Sequence, residues 1–199
     1  MQPRVRILLI SVVAIVAAHL GDRWAFGHLL QSDVYDHDVG RMFRVAGYLP
    51  AWLLAALAYW LVHRDRRRAL MIGLIPALAG AICALLQLLL RRERPALHNG
   101  EYYFRPFSDR PFHGTEFGLP SSHAMVAFAG AWLLCRIYPR AWAVWLLVAA
   151  GCAWSRVAAQ AHFLSDVTVA AVAAYFVVAW SWRVLPPRAP EHPAPLRGA

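Results

Sequence analysis

Residues 69–90 read ALMIGLIPALAGAICALLQLLL, a run of 22 residues in which Gln87 is the one strongly polar side chain. A helix of about 20 apolar residues crosses the roughly 30 Å hydrocarbon core of a bilayer. Strands of a membrane barrel alternate polar and apolar residues, whereas this run is apolar on every face. The run therefore predicts a membrane-spanning α-helix, in which neighbouring helices tolerate Pro76.

Five further apolar runs lie along the chain on both sides of this one. They cover residues 5–20, 45–62, 124–138, 141–157 and 163–184. Hydrophobic residues make up 60% of the 199 residues and charged ones 16%, against about 45–50% and about 25% in soluble domains. The sequence predicts an all-α, polytopic membrane bundle of six transmembrane helices over residues 1–185. A Pro-rich, disordered cytoplasmic tail is predicted over residues 186–199.

The charges indicate a membrane partner and an orientation. The formal net charge is +9, and all 20 basic residues are arginines. They lie between apolar runs rather than along one polar face, which favours a membrane and argues against nucleic acid. With six spans, the side that holds both termini carries 11 arginines and the other side nine. This excess predicts that both termini are cytoplasmic, in an inner (cytoplasmic) membrane of bacterial type.

Three polar clusters lie at the ends of predicted helices. The first runs from Gln87 to Pro95 and ends in RRERP, the second is PSSH at residues 120–123, and the third runs from Ser155-Arg156 to Asp166. Tracing the chain through six spans places all three on the extracytoplasmic face. The sequence therefore predicts one polar site at that membrane surface.

The third cluster has the pattern of an activated histidine. His162 and Asp166 are four residues apart, so on a helix their side chains lie on one face. A carboxylate there can accept the proton of one imidazole nitrogen and leave the other nitrogen free as a base or nucleophile.

The other clusters offer groups that bind an anion. Ser is a favoured N-cap, and the first turn of a helix exposes unpaired N–H groups that attract phosphate. Arg94 and Arg156 add two permanent cations suited to phosphate oxygens, and His123 can protonate a leaving oxygen. Phosphoryl transfer is catalysed largely by positioning and charge stabilisation from such groups.

The segments Arg94-Pro95, Pro120-Ser-Ser-His123 and Ser155-Arg156-x5-His162-x3-Asp166 resemble the three signature motifs of the type 2 phosphatidic acid phosphatase superfamily. That superfamily includes bacterial undecaprenyl-diphosphate phosphatases, to which this chain is similar, and soluble vanadium haloperoxidases. Ser122 stands where the second motif usually has Gly, and Gln87 stands where the first usually has Lys.

The resemblance implies a metal-independent lipid phosphatase without a cofactor. His162 would attack phosphorus and form a phosphohistidine, with Asp166 orienting it and stabilising its charge. His123 would protonate the leaving alcohol or phosphate and later activate water. The groups that would hold the phosphate oxygens are Arg94, Arg156, Ser121 and the backbone N–H groups around Ser122.

The missing lysine leaves the site one cation short. Positions 87, 91 and 94 follow an i, i+4, i+7 spacing, which predicts that Arg91 lies on the same helix face as Arg94. We therefore predict that Arg91 supplies the missing cation and that Gln87 serves as a weaker, neutral phosphate-binding group.

Simpler interpretations exist for each cluster taken alone. Residues 120–123 could be an ordinary helix cap, Arg94-Pro95 a helix stop, and Arg91-Arg92 interfacial anchors. His162 and Asp166 could form a structural pair or ligate a metal, although nearby arginines repel cations.

The predicted function also has alternatives. A lipid phosphotransferase could use the same intermediate, and a weakly active or non-catalytic relative could bind lipid phosphates only. Undecaprenyl diphosphate, phosphatidylglycerol phosphate, phosphatidate and lipid A phosphates all fit the site as substrates. The sequence indicates no oligomeric state.

Overall fold

A computed structural model of the chain describes residues 2–185, and every regular element in that range is helical. Seven α-helices follow one another: α1 Pro3–His28, α2 Asp38–Val45, α3 Leu49–His63, α4 Arg66–Leu90, α5 Ser122–Ile137, α6 Trp142–Ala158 and α7 Leu164–Val184. Short 3₁₀ turns cover Pro95–His98 and Pro139–Ala141. The all-α prediction is confirmed. The predicted tail, residues 186–199, lies outside the described residues.

The six predicted spans are confirmed only in part. Four helices are long and apolar enough to cross a bilayer: α1, α4, α6 with the 3₁₀ turn before it, and α7. A fifth candidate is the pair α2 and α3, which is bent by 66° at its break. Helix α5 has 16 residues and is therefore about 24 Å long, short of the roughly 30 Å core. Four to five candidate spans are compatible with a multi-pass membrane protein.

Helix α5 lies at the centre of the bundle and packs against α4, α6 and α7. Most of its buried residues are small, including Ala124, Ala127 and Ala131, and small residues allow neighbouring helices to approach closely. At Gly130 a Cβ atom would lie 2.0 Å from the Trp52 ring, so α3 packs directly on the α5 backbone there.

This packing brings four helix ends together. Since α4, α5, α6 and α7 follow one another through reversals of direction, the C-terminal ends of α4 and α6 meet the N-terminal ends of α5 and α7. The segment between α4 and α5, residues 91–121, folds back over this end of the bundle. The backbone of Gly118 donates to the Arg92 carbonyl at 2.7 Å and that of Ser121 to the Asp166 carbonyl at 3.2 Å.

Candidate active site

His162 lies in the turn between α6 and α7 and is 2% exposed. Its Nδ1 atom is 2.9 Å from the Gly118 carbonyl oxygen and 3.7 Å from Oδ2 of Asp166. A carbonyl oxygen only accepts hydrogen bonds, so Nδ1 carries the proton and Nε2 of the neutral ring carries the lone pair. Nε2 is buried and has no hydrogen-bond partner among residues 2–185. The ring therefore presents an unengaged nucleophilic nitrogen.

The surroundings of His162 favour its neutral form. Burial lowers the pKa of His162 below its ordinary value of 6.5, and the positive charges of Arg156 and Arg94 lower it further. The hydrogen bond and charge of Asp166 act in the opposite direction. A lowered pKa keeps the imidazole unprotonated at neutral pH, which is the state that a nucleophile requires.

Asp166 is held in a fixed position by two other partners. Its Oδ1 accepts from the Arg92 guanidinium, and its Oδ2 accepts from the backbone N–H of Phe163 at 2.8 Å. The predicted His162–Asp166 pair is thus present, with His162 in the turn just before α7 rather than on a helix, and the Gly118 carbonyl is the nearer partner of the ring. Asp166 supplies a negative charge beside His162, and its hydrogen bond to Phe163 anchors the turn that contains His162.

Gly118 occupies a place that no side chain fits. An added Cβ atom would lie 2.9 Å from Asp166 Oδ2 and 3.4 Å from the Glu93 carbonyl oxygen. We expect Gly118→Ala to displace the carbonyl that orients His162 and to lower kcat about 10²-fold.

The matched control for this variant is Gly114→Ala. A Cβ atom there meets neighbouring atoms at 3.6 Å and 3.7 Å, which is ordinary van der Waals contact. Steady-state kinetics on a lipid phosphate compare the two proteins, and an equal kcat in both would contradict the role of the Gly118 carbonyl.

Two arginines in this region form no salt bridge with a carboxylate in the part of the chain that the structure describes. Arg156 is 5% exposed and donates from Nη1 to the Tyr35 hydroxyl at 2.9 Å. The Nε atoms of Arg94 and Arg156 are buried and lack hydrogen-bond partners within the described range. Burial, followed by the charge of Arg156, lowers the pKa of Arg94, so the two guanidinium groups are neighbours. Both remain cationic at neutral pH.

The start of α5 completes the arrangement. Ser121 is its N-cap and accepts a long hydrogen bond, 3.5 Å, from the Ala124 backbone N–H. Ser122 and His123 are the first two residues of the helix, and Nε2 of His123 is buried without a partner in the described part of the chain. The positive charges of Arg156, Arg44 and Arg94 act on His123, and those of Arg156 and Arg94 also act on His162. Both histidines and both predicted arginines are therefore close enough to interact electrostatically.

A family model described as PAP2 superfamily matches residues 68–190. The chain belongs to the PAP2 superfamily. The matched range begins in α4 and contains all three polar clusters, which confirms the resemblance to the superfamily, whereas the similarity to undecaprenyl-diphosphate phosphatases stays a prediction. Neither the comparison with curated proteins nor the comparison with solved structures gave a significant match. Membership in the PAP2 superfamily indicates a phosphatase-type hydrolysis of lipid phosphates.

The structure does not bring Arg91 into the PAP2 site. Helix α4 ends at Leu90, and Arg91 adopts a left-handed conformation with φ of 54°. The prediction that positions 87, 91 and 94 share one helix face is therefore wrong. The Arg91 guanidinium donates instead to four backbone carbonyl oxygens, those of Arg105, Pro106, Asp109 and Pro111.

Gln87, where PAP2 proteins usually have Lys, makes a hydrogen bond to the protein backbone. Its Nε2 donates to the Pro120 carbonyl at 2.8 Å, which ties α4 to the segment that starts α5. The neutral amide is thereby engaged by the backbone. Neither Gln87 nor Arg91 replaces the charge of the lysine.

Three residues of the PAP2 site were not predicted as such from the sequence. Gly118 orients His162, Arg92 holds Asp166, and Tyr35 contacts Arg156. Arg92 belongs to the RRERP cluster. Because Arg91-Arg92 could also be interfacial anchors, the sequence did not predict that Arg92 is buried. Gly118 and Tyr35 lie in irregular segments, where no periodic pattern marks them.

Proposed function

We propose that this protein is an integral membrane lipid phosphatase that hydrolyses a phosphomonoester or diphosphate of a lipid through a phosphohistidine at His162. One observation carries the proposal: the buried Nε2 atoms of His162 and His123 and the buried Nε atoms of Arg94 and Arg156 all lack protein partners in the described range. Buried polar groups are normally hydrogen-bonded. The oxygens of a phosphate group accept from the N–H groups of Arg94, Arg156 and His123, and its phosphorus atom is the electrophile for the lone pair on Nε2 of His162.

Other buried arginines of the same chain provide an internal comparison. Arg92 is paired with Asp166, and Arg105 with Glu93 and Glu116. A buried charge is costly unless it is paired. Arg94 and Arg156 lack such a carboxylate among residues 2–185, and this supports an anionic ligand as their counter-charge.

The proposed reaction has two steps. Nε2 of His162 attacks phosphorus, the P–O bond to the lipid alcohol or lipid phosphate breaks, and His123 gives its proton to the leaving oxygen. Water then attacks the phosphohistidine, His123 takes a proton from the water, the P–N bond breaks and inorganic phosphate leaves. Throughout, Nδ1–H of His162 donates to the Gly118 carbonyl, while the Asp166 carboxylate stabilises the positive charge on the ring.

Arg94 and Arg156 stabilise the negative charge that spreads over the phosphoryl oxygens in the transition state. Ser121 and the first N–H groups of α5 act with them, since a helix N-terminus favours anions. We propose that all of these groups bind the phosphate of the substrate and that none of them ligates a metal.

The location of the site supports a lipid substrate. It lies at one end of the helix bundle, where a head group can remain in water while its tail lies in the membrane. The covering segment, residues 91–121, exposes large aromatic side chains nearby, among them Tyr102 and Tyr103, and tyrosine is enriched at bilayer interfaces. We propose that this end faces the extracytoplasmic side of an inner membrane, with both termini in the cytoplasm.

Removal of divalent metals is expected to leave the activity unchanged, because positively charged arginines occupy the site and repel cations. The measurement is phosphate release by the protein in detergent micelles, with and without a chelator. The substrates are undecaprenyl diphosphate, phosphatidylglycerol phosphate, phosphatidate and a lipid A phosphate.

Activity that is lost in chelator and restored by a divalent cation would contradict the proposed mechanism. Adding candidate lipid or sugar acceptors to the same reaction distinguishes hydrolysis from a phosphotransferase, which would yield a phosphorylated acceptor. Equal phosphate release from His162→Ala would instead indicate a protein that only binds lipid phosphates.

A further inference from the structure

Arg44, on the short helix α2, shares with Arg94 and Arg156 a buried Nε atom and the lack of a carboxylate partner among residues 2–185. Its Nε atom is buried and has no hydrogen-bond partner among residues 2–185, and no carboxylate in that range pairs with it. Its guanidinium carbon lies 4.6 Å from the centre of the Tyr35 ring and 5.6 Å from that of Tyr48. Aromatic faces stabilise a cation without neutralising it, so the charge of Arg44 remains available to a ligand.

The two rings that hold Arg44 also contact the proposed catalytic groups. The Tyr35 hydroxyl accepts from Nη1 of Arg156 at 2.9 Å and donates to the Ser155 carbonyl at 3.0 Å. The Tyr48 ring meets the His123 ring edge-on, with 5.1 Å between the ring centres. Tyr35 therefore contacts both Arg44 and Arg156, and Tyr48 contacts both Arg44 and His123.

Two glycines fix α2 in this place. At Gly151 of α6 a Cβ atom would lie 2.3 Å from the Phe43 ring, so Phe43 packs against bare backbone. At Gly47 a Cβ atom would lie 2.7 Å from that of His123. Because Arg44 lies between Phe43 and Gly47 along the chain, these close approaches determine where its side chain begins.

We propose that Arg44 binds the phosphate of the lipid substrate and supplies the cation that the superfamily usually places at position 87. The proposal rests on the phosphatase function proposed above. Gln87 is neutral and Arg91 is engaged by backbone carbonyls, whereas Arg44, Arg94 and Arg156 all lie near His123 and form no salt bridge with a carboxylate among residues 2–185. Like charges held together repel each other, and an anion that contacts all three offsets this repulsion.

The test measures anion binding and turnover separately. Binding of inorganic phosphate to the protein in detergent is followed by calorimetry, and hydrolysis of a lipid phosphate by phosphate release. We expect Arg44→Gln to weaken phosphate binding and to raise KM, each about 10- to 100-fold, because a charged hydrogen bond is lost. Arg44→Lys is expected to retain most of the affinity.

The control removes an arginine of the same charge from the surface. The Arg23 side chain is 93% exposed and lies 4.0 Å from Glu101, so Arg23→Gln should change neither measurement. A second variant tests whether Arg44 takes the place of the usual lysine. Adding Gln87→Lys to Arg44→Gln should raise the phosphate affinity about tenfold, since it restores a cation at the position usual in the superfamily.

Phosphate affinity within twofold of wild type in Arg44→Gln would overturn the proposal, as would a failure of Gln87→Lys to recover any affinity. If the wild-type protein binds phosphate through Arg44 but hydrolyses no lipid phosphate, the proposed enzymatic function fails and the binding role of Arg44 stands. The two ideas are thus tested by different measurements.

Discussion

Replacing His162 with alanine is expected to lower phosphate release from a lipid phosphate by about 10³-fold or more, to the level of the uncatalysed reaction in detergent. The imidazole provides the attacking atom, and the described range offers no second unengaged nucleophile beside it except His123, which lies on α5 and is assigned the proton transfer. KM should change much less than kcat, because Arg94 and Arg156 remain to bind the phosphate.

The covalent intermediate gives a direct measurement of this prediction. Wild-type protein incubated with a lipid carrying labelled phosphate and then quenched should contain labelled phosphohistidine, which is stable to alkali and labile to acid. His162→Ala should contain none. His63→Ala is the matched control, since His63 lies exposed at the end of α3. Label in His162→Ala equal to that in wild type would assign the nucleophile to another residue.

The helices were predictable from sequence because burial in lipid imposes long apolar runs. Each of the six runs corresponds to a helix, such as the run 69–90 to α4 and the run 163–184 to α7. The number of spans was less predictable. Helix α5 ends at Ile137, just before the 3₁₀ turn that begins at Pro139, and within the run 45–62 the helix α3 begins only at Leu49, so the apolar runs overstated the number of crossings.

The candidate site was predictable where it depends on helix ends. Tracing the chain predicted that His123, His162, Arg94 and Arg156 lie at one end of the bundle, because antiparallel neighbours bring alternate helix ends to one side, and the structure has all four at or next to helix ends. The family model over residues 68–190 spans all three clusters. The spacing of His162 and Asp166 predicted their proximity, 3.7 Å between Nδ1 and Oδ2, although His162 lies before α7 and not on it.

The rest depends on irregular backbone, which leaves no periodic signal. The segment 91–121 pairs with itself in two isolated bridges, between Arg92 and Phe104 and between Glu93 and Phe117. These contacts decide which way Arg91 and Arg92 point. The spacing argument for Arg91 failed because it assumed a helix beyond Leu90, where the backbone turns left-handed.

Burial also separates arginines that look alike in the sequence. Arg91 and Arg92 are adjacent and both almost fully buried, yet Arg91 donates to four backbone carbonyl oxygens and Arg92 donates to the Asp166 carboxylate and the Ser165 hydroxyl. The side chain of Arg94, three residues after Arg91, has neither kind of partner among residues 2–185. Composition and spacing do not distinguish these three environments, since each results from how distant segments meet. The arginines without internal partners are the ones that a ligand can use.

Arg92 is expected to be the arginine on which folding depends most. Its Nη2 donates to Ser165 Oγ at 2.7 Å and to Asp166 Oδ1. The Ser165 hydroxyl in turn donates to Asp22 of α1, whose other oxygen accepts from the Ser165 backbone at 2.7 Å. One buried network therefore joins α1, the segment after α4 and the start of α7.

Arg92→Met is expected to lower the free energy of unfolding by about 3–5 kcal/mol, because it leaves the buried Asp166 carboxylate without its cation. The measurement is unfolding in mixed detergent micelles, with Arg23→Gln as an exposed control that should change stability by less than about 0.5 kcal/mol. Arg92→Lys keeps the charge but loses the planar fork that reaches two partners, so its loss should be intermediate.

A double variant distinguishes the unpaired charge from lost packing. Adding Asp166→Asn to Arg92→Met removes the uncompensated carboxylate while keeping a side chain of similar size. The double variant should therefore be more stable than Arg92→Met alone. If the double variant loses as much stability as the two single variants added together, Arg92 acts through its packing against Tyr102 and Phe163. The centres of these rings lie 4.8 Å and 5.1 Å from its guanidinium carbon. Recovery would establish that the ion pair couples the fold to the carboxylate beside His162.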